Sequence, residues 1–325
     1  MMAATLILAP IFEADLPPEQ HGYRPERSAL SAVRETRALL VTGRTQVVDA
    51  DLTDYFGSIP HAQLMTSVAR RVVDRQILHL IKMWLEAPVD ETDDRGRTRR
   101  TTRSKDSKRG IPQGSPISPL LSNLYMRRLV LGWKRLGFER QFDARIVTYA
   151  DDLVICCRHQ AEDALAALRQ IASRLGLTVN EEKTGVCRLP GGRFNFLGYS
   201  FERCYSEQTG RAYLGMRPSG KSIQRMVRTI TAHTAHRMVC LEADKMVEQL
   251  NRKLRGWANY FCLGPVSKSY RAVNAHAIRR LRRWLCNKHK ISGNGKVRFP
   301  DGYLHETLGL VYLPALTRNL PWAKA

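Results

Sequence analysis

Two adjacent aspartates, Asp151 and Asp152, stand between two apolar, β-rich runs of the sequence. Residues 145–149 precede the pair and residues 153–157 follow it, so the pattern predicts two strands joined by a tight hairpin turn. Neighbouring carboxylates at such a turn repel each other, and proteins tolerate this repulsion mainly where a cation binds. An ordinary polar turn pair is the alternative that the pattern leaves open.

A third aspartate, Asp51, ends another apolar run, residues 46–52, which is typical of a short strand. Three carboxylates on neighbouring strands supply the oxygen ligands that Mg²⁺ prefers. Two such ions, roughly 3.5–4 Å apart, serve in-line phosphoryl transfer. Asp49 complicates the assignment because it lies on the same strand face as Asp51.

A Gly- and Pro-rich segment, residues 110–116, leads into a predicted helix that begins at Ser118-Pro119. Its sequence, GIPQGSP, is typical of a rigid loop, and its backbone and Gln113 amide groups could line a nucleotide pocket. An ordinary Pro/Gly connector is the alternative.

The remaining pattern predicts an α+β chain, with helices and strands interleaved up to about residue 205 and mostly helix beyond. A strand pair is expected within residues 191–201. The predicted helices are residues 28–40, with Ser28 as N-cap, and residues 61–73, 74–85, 118–136, 161–175, 223–234, 241–260 and 269–290.

The charge balance indicates a nucleic-acid partner, because 52 Lys and Arg oppose 30 Asp and Glu in 325 residues, a net charge of +22. Residues 215–300 hold 19 basic and three acidic residues. A second dense patch, residues 95–109, holds eight basic residues and one acidic residue, and its polar sequence predicts an exposed loop. That loop either contacts a nucleic-acid backbone or is merely solvated.

Other classes of protein fit the sequence poorly. It contains no apolar run long enough to cross a membrane and no secretory signal, so we expect a cytoplasmic protein with no membrane partner. Its seven cysteines include no CxxC pair, which argues against a disulfide framework or a zinc finger.

Six segments in order resemble the reverse transcriptases encoded by bacterial group II introns. They are HGYRPERSA (21–29), VVDADLTDYFGSIPH (47–61), GIPQGSPISPLLSNLYM (110–126), YADDLVI (149–155), VNEEKTG (179–185) and FNFLGYSF (194–201). The segment LRGWANYF (254–261) is similar to that family's thumb or maturase domain.

The resemblance implies a right-hand polymerase fold of fingers, palm and thumb. It implies a partial fingers and palm domain over residues 1–205, a helical, basic thumb/maturase domain over residues 215–300, and a C-terminal tail over residues 301–325. The chain is expected to begin inside the finger region. No C-terminal nuclease domain with paired cysteines is expected.

The resemblance also assigns roles to residues. Asp51, Asp151 and Asp152 would be the catalytic metal ligands, and Asp49 a supporting or structural residue. Phe56 would be the steric gate that rejects ribonucleotides. Further roles would be nucleotide binding for Arg24, Arg27, Pro112, Gln113 and Lys183, primer grip for Leu197, Gly198 and Tyr199, and RNA binding for Arg255, Arg279, Arg280, Arg282 and Arg283.

The implied activity is RNA-directed DNA synthesis with two Mg²⁺ ions, for which Mn²⁺ is a possible substitute. Its partners would be an RNA template with a DNA primer, deoxynucleoside triphosphates and a group II intron RNA whose splicing and mobility it assists. The oligomeric state stays open. Two alternatives also remain: an RNA-binding splicing cofactor with impaired polymerase activity, and a relative recruited to phage defence or CRISPR spacer acquisition.

Overall fold

The computed structural model describes residues 1–92, 98–206, 209–317 and 320. It divides into two compact units, Met1–Leu189 and Pro190–Ala325. The first contains helices α1 (Met2–Glu13), α2 (Ala29–Val41), α3 (Tyr55–Ser58), α4 (His61–Val68), α5 (Arg75–Leu85), α6 (Arg103–Ser107), α7 (Ser118–Arg135), α8 (Phe138–Gln141) and α9 (Ala161–Arg174), and strands β1 (Gln46–Ala50), β2 (Val89–Thr92), β3 (Thr98–Thr101), β4 (Ala144–Tyr149), β5 (Asp152–Cys157) and β6 (Gly185–Arg188).

The second unit contains strands and then helices, all within residues 194–316. They are β7 (Phe194–Phe196), β8 (Tyr199–Tyr205), β9 (Ala212–Pro218), α10 (Gly220–His233), a 3₁₀ turn (His236–Met238), α11 (Ala243–Tyr260), α12 (Ser267–Lys288), a π-helical turn (Tyr303–Thr307) and α13 (Leu313–Leu316). Within the described part of the chain, no helix is long and apolar enough to cross a membrane.

The central feature of the first unit is a four-stranded antiparallel sheet in the order β4-β5-β1-β6. The apolar run Leu153–Cys157 of β5 is buried throughout, because β5 has a strand on each side and helices pack on the sheet. The core between sheet and helices includes Trp133 of α7 and Leu168 of α9. The predicted hairpin of β4 and β5 is confirmed.

Helix α2 begins where the sequence predicts, at Ser28. The Ser28 side chain accepts a hydrogen bond from the Ser31 backbone, and the Ser31 side chain accepts one from the Ser28 backbone, which forms a capping box. Helices α7 and α9 also lie where predicted, within one residue at each end. Local signals such as N-caps and apolar spacing therefore suffice for these helices.

The prediction of a loop over residues 95–109 is wrong for its described part. Thr98–Thr101 is strand β3, which pairs antiparallel with β2, with Val89 opposite Thr101. The five residues Arg103–Ser107 then form helix α6. The exposure of this basic segment is as expected, but hairpin pairing gives it a regular backbone that apolar periodicity cannot reveal. Residues 95–97 lie outside the described residues.

The second unit combines a three-stranded antiparallel sheet, β7-β8-β9, with helices α10, α11 and α12. The prediction that mostly helix follows residue 205 is confirmed. The seven-residue strand β9, which pairs with β8, is the addition that the pattern did not predict. The helical core contains Leu254, Leu281 and Trp284. Leu304 and Leu313, from the segment expected to be a tail, are buried in the same core.

Candidate active site

The hairpin turn between β4 and β5 carries the first two predicted site residues. Tyr149 pairs with Asp152, so Ala150 and Asp151 are the two residues of the turn itself. Ala150 has a φ of 56°, in the left-handed region that favours glycine. A neighbouring segment must therefore hold this turn in shape.

That neighbouring segment is residues 20–22. The His21 N–H donates to the Thr148 carbonyl at 2.9 Å, so the segment runs beside β4. Gly22 lies against the turn so closely that a Cβ there would stand 2.3 Å from the Ala150 nitrogen. The Asn123 side chain of α7 donates to the Gly22 carbonyl at 2.8 Å. Sequence reasoning missed Gly22 and Asn123, because only the fold brings them behind the turn.

Asp51 follows β1 directly, beside the same hairpin. Ala50 pairs with Leu153, so continuing this antiparallel register by one residue sets Asp51 opposite Asp152. The sheet thus brings together the three aspartates that the sequence selected. The predicted juxtaposition of β1 with the Asp-Asp hairpin is confirmed.

The segment that follows α9 forms several hydrogen bonds with Asp51. The Asn180 backbone donates to the Asp51 carbonyl at 2.8 Å, and its side-chain amide donates to Asp51 Oδ2 at 3.2 Å. Lys183 Nζ lies 3.3 Å from the same oxygen. The Asp51 N–H donates to Thr184 Oγ1 at 3.2 Å. The VNEEKTG motif contained Asn180 and Thr184, but its sequence alone showed a reason only for Lys183.

Burial and like charge dominate the electrostatics of the site. Desolvation, followed by the Asp151 and Asp51 carboxylates, raises the pKa of Asp152 to about 6, against a smaller lowering by Lys183. Desolvation, followed by Asp152 and Asp51, raises the pKa of Asp49 to about 7. Ionisation of Asp49 and of Asp152 is therefore costly without a cation nearby.

The donor set fits a hard divalent cation in type, since it offers carboxylate oxygens from Asp51, Asp151 and Asp152. Within residues 1–92, 98–206, 209–317 and 320, however, no group of three or more His, Cys, Asp or Glu side chains is preassembled to hold a metal ion. The Lys183 ammonium and the Asn180 amide engage Asp51 instead.

Phe56 lies on the short helix α3, six residues after the end of β1. Its ring packs edge-on against Tyr55, with the ring centroids 5.7 Å apart. Tyr55 is fully buried, and its hydroxyl donates to the Ser122 carbonyl at 2.8 Å. The Ile111 N–H donates to the Phe56 carbonyl at 2.8 Å, which ties the Phe56 helix to the 110–116 loop.

Pro112 and Gln113 lie side by side in that loop, Pro112 half-buried and Gln113 exposed. The Ser118 hydroxyl donates to the Pro112 carbonyl at 2.6 Å, so the start of α7 fixes the loop. Both residues line a cavity of about 480 Å³, to which Arg103 and Arg109 also contribute. A fixed loop with an exposed amide beside arginines is suited to a polar, anionic ligand.

The Arg24 side chain is buried and hydrogen-bonded to other residues of the protein. Its side chain is 7% exposed, and it pairs with Glu13 and donates to the carbonyls of Pro17 and Gln20. Arg27 donates to the Pro18 carbonyl at 2.9 Å. Both arginines thus hold the 13–20 segment, and the guanidinium of Arg24 has little surface left for a nucleotide.

Leu197, Gly198 and Tyr199 lie in the second unit, where they form and follow the turn between β7 and β8. Tyr199 is fully buried. The Leu197 and Gly198 backbone is bent into the left-handed region, with φ values of 49° and 80°.

The five basic residues predicted to bind RNA differ in solvent exposure: three are exposed and two are partly or fully buried. Arg255 on α11 and Arg279 and Arg283 on α12 are exposed. Arg280 is half-buried and donates to Thr234 Oγ1 at 3.0 Å.

Arg282 is 7% exposed; it donates to the Phe299 carbonyl at 2.8 Å and pairs with Asp301. Ile278, Leu281 and Leu285 share a face of α12 with Arg282 at helical spacing, which was the available signal that Arg282 points inward.

Comparisons with known proteins agree with this arrangement. The reverse transcriptase (RNA-dependent DNA polymerase) family matches residues 2–217, and the group II intron, maturase-specific domain matches residues 223–299. Protein YkfC of Escherichia coli (strain K12) is 33% identical over 237 residues, 62% of this chain and 59% of that protein. The group II intron-encoded protein LtrA of Lactococcus lactis subsp. cremoris is 28% identical over 187 residues, 57% of this chain and 28% of LtrA.

The chain spans less than two thirds of the length of these relatives. The match to a solved structure of telomerase from Candida albicans, in complex with the TWJ fragment of telomeric RNA, covers 95% of this chain and 55% of the telomerase chain. The two are 11% identical, with a TM-score of 0.47. Because the first family match spans more than half of the sequence, this α+β chain belongs to the reverse transcriptase (RNA-dependent DNA polymerase) family, with its right-hand polymerase fold, and carries a group II intron maturase-specific domain.

Proposed function

We propose that this protein is an RNA-directed DNA polymerase of the group II intron type that also acts as a maturase. The observation that carries the proposal is the register of β1 and β5, which sets Asp51 opposite Asp152, next to Asp151 in the turn. The family match supports the class of reaction. Its substrates would be deoxynucleoside triphosphates and a DNA primer on an RNA template.

The reaction needs no protein nucleophile. The primer 3′-hydroxyl attacks the α-phosphate of the nucleotide, the new phosphodiester bond forms and pyrophosphate leaves, so catalysis rests on positioning and electrostatics. Two Mg²⁺ ions, or Mn²⁺ in their place, held by Asp51, Asp151 and Asp152, would lower the pKa of the hydroxyl and offset the charge of the departing pyrophosphate.

The protein's own residues would hold the carboxylates where this chemistry needs them. Asn180 and Thr184 fix the backbone of Asp51 from two sides. Lys183 offsets the charge of Asp51, and its side chain is 68% exposed, so it is free to turn towards a triphosphate. We assign it a role in neutralising or protonating the pyrophosphate.

Nucleotide selection would depend on α3 and the loop bonded to it. Phe56 is half-buried and fixed by Tyr55, which suits a rigid steric gate against a ribose 2′-hydroxyl. Gln113, exposed on a loop that Ser118 anchors, would contact the incoming nucleotide, with Pro112 beside it. Arg24 and Arg27 would act indirectly, by shaping the segment that precedes Gly22.

The maturase role would fall to the second unit. The exposed Arg255, Arg279 and Arg283 are suited to phosphate contacts with a structured intron RNA. Arg280 and Arg282 would support that surface by fixing α12 to its neighbours. The maturase-specific match supports this assignment.

The Asp151→Asn variant tests the proposal in primer extension on an RNA template. Losing a charged ligand should reduce the rate by several powers of ten, while RNA affinity stays within about twofold of wild type. Asp163→Asn is the matched control, because Asp163 is an exposed aspartate in the first turn of α9. Extension by Asp151→Asn within about tenfold of the control would refute the assignment.

A further inference from the structure

The turn between β7 and β8 has a backbone shape that its sequence does not favour. Phe196 pairs with Tyr199, so Leu197 and Gly198 alone form the turn, and both have positive φ values, 49° and 80°. Two-residue turns of this kind favour Asn-Gly or Gly-Gly. A leucine in the left-handed region is strained, and such strain persists only where surrounding groups fix the backbone.

Residues at the start of α10 hold this turn by hydrogen bonds. The Gly198 carbonyl accepts two hydrogen bonds, one from the Ser219 N–H and one from the Ser222 hydroxyl, both at 2.9 Å. Ser219 is also the N-cap of α10, since its side chain accepts from the Ser222 N–H. The turn is therefore bonded to the end of a helix, which is a rigid element.

Residues at the end of α11 also hold the turn. The Tyr260 hydroxyl donates to the Leu197 carbonyl at 2.8 Å, and the Tyr199 hydroxyl donates to the Tyr260 carbonyl at 2.6 Å. Each tyrosine hydroxyl thus donates to a backbone carbonyl in the segment that contains the other tyrosine. A Cβ at Gly198 would lie 3.2 Å from Phe261 Cζ, so the aromatic end of α11 also fills the space beside the turn.

We infer that Tyr260 and Ser222 are positioning residues that hold the Leu197-Gly198 turn in the shape in which it receives the 3′ end of the primer. The inference rests on the proposed polymerase function and on the primer-grip role of that turn. Tyr260 belongs to the maturase-specific match, whereas the turn belongs to the reverse transcriptase match. A residue of the segment that matches the maturase-specific domain would therefore support DNA synthesis indirectly, by positioning this turn.

The Tyr260→Phe variant removes the hydroxyl and keeps the ring. Tyr205→Phe is the matched control, because Tyr205 is an exposed tyrosine at the end of β8 in the same unit. Ser222→Ala removes the second bond to the turn, and Ser222→Thr retains a hydroxyl. Each variant is assayed for single-nucleotide incorporation on a preformed RNA–DNA primer–template, for affinity to structured RNA, and for the fluorescence of 2-aminopurine at the primer 3′ end.

We expect Tyr260→Phe and Ser222→Ala to lower kcat/KM for the primer–template by about three- to tenfold, the range that one lost positioning hydrogen bond produces. The KM for the nucleotide and the RNA affinity should not change. The 2-aminopurine signal should report a less ordered primer end, and Ser222→Thr should retain most of the wild-type activity.

Equal behaviour of Tyr260→Phe and Tyr205→Phe in both primer readouts, with an active wild type, would overturn the inference and leave the polymerase assignment intact. A loss shared equally by Ser222→Thr and Ser222→Ala would also count against it. Absence of primer extension in the wild-type protein would refute the proposed function and this inference with it.

Discussion

The ionised Asp49 carboxylate lowers the stability of the folded protein. It pairs in the sheet between Val154 and Gly185, in the interior of the β5-β1-β6 arrangement. Burial, with the nearby Asp152 and Asp51, raises its pKa from the ordinary value of 3.8 to about 7. Replacing it by asparagine keeps the size and polarity of the side chain and removes the ionisation.

The rise in pKa determines how much the ionisation of Asp49 lowers the free energy of unfolding. One pKa unit corresponds to about 1.4 kcal/mol, so a rise from 3.8 to about 7 corresponds to about 4 kcal/mol. The folded protein binds the Asp49 proton more tightly than the unfolded chain does. The stability that this proton contributes is therefore complete below pH 3.8 and is lost as the pH rises to about 7.

We expect Asp49→Asn to stabilise the protein increasingly as the pH rises. Between pH 5 and pH 8 its advantage over wild type should grow by about 3 kcal/mol. Urea unfolding at both pH values, with EDTA to remove metal ions, measures this change, and Asp163→Asn serves as the exposed control. An advantage that is equal at the two pH values, or absent at pH 8, would refute the reasoning.

The same variant tests the register of the catalytic motif. Asp49 lies two residues before Asp51, on the strand itself, and acts in our account as a structural group. Asp49→Asn should therefore reduce primer extension far less than Asp51→Asn does. If Asp49 proved the more sensitive residue, the metal ligand would have been assigned two residues too late.

Three further predictions concern nucleotide selection, RNA affinity and stability. Phe56→Ala should raise the incorporation of ribonucleotides relative to deoxynucleotides at least about tenfold, because the barrier is steric; an unchanged ratio in single-nucleotide incorporation would exclude Phe56 as the gate. Replacing both Arg279 and Arg283 by alanine should lower RNA affinity and flatten its dependence on salt by about one to two in the log–log slope, without changing the melting temperature. Arg282→Ala should instead lower the melting temperature, because it leaves the carbonyl of the buried Phe299 without its donor; the reverse pattern would contradict the division of these arginines.

Local sequence signals sufficed for the hairpin around Asp151 and Asp152. An apolar, β-rich run on each side of a polar pair leaves few alternatives to two paired strands. The apolar run that contains Asp51 predicted a further, neighbouring strand, and the resemblance to a known family then selected Asp51 over Asp49 as the metal ligand. The contacts of Asp51 with Asn180 and Thr184 could not be predicted in the same way. They join segments about 130 residues apart, and no local periodicity reports on such distant pairing.

The roles of individual arginines were harder to predict than the net charge. Composition correctly marks residues 215–300 as basic, but it does not separate Arg279, which is exposed, from Arg282, which is buried. Only the helical face distinguishes them, since Arg282 follows Leu281 on the apolar side of α12. Arg24 is similar: its partners are the Glu13 carboxylate and two backbone carbonyls, whose positions depend on how residues 13–20 turn.

Two of the positions that break local rules lie where we locate function. Ala150 and Leu197 both adopt positive φ values in two-residue hairpin turns, although neither is Gly, Asn or Asp. Each is held by groups from a distant segment: Gly22 packs on Ala150, and Tyr260 bonds to Leu197. A turn with a favourable sequence would not need such support. Because unsupported strain relaxes, the supporting contacts are as necessary to these two shapes as the turn residues themselves. Activity should therefore be sensitive to side chains such as the Tyr260 hydroxyl, which on our account touches neither nucleotide nor primer.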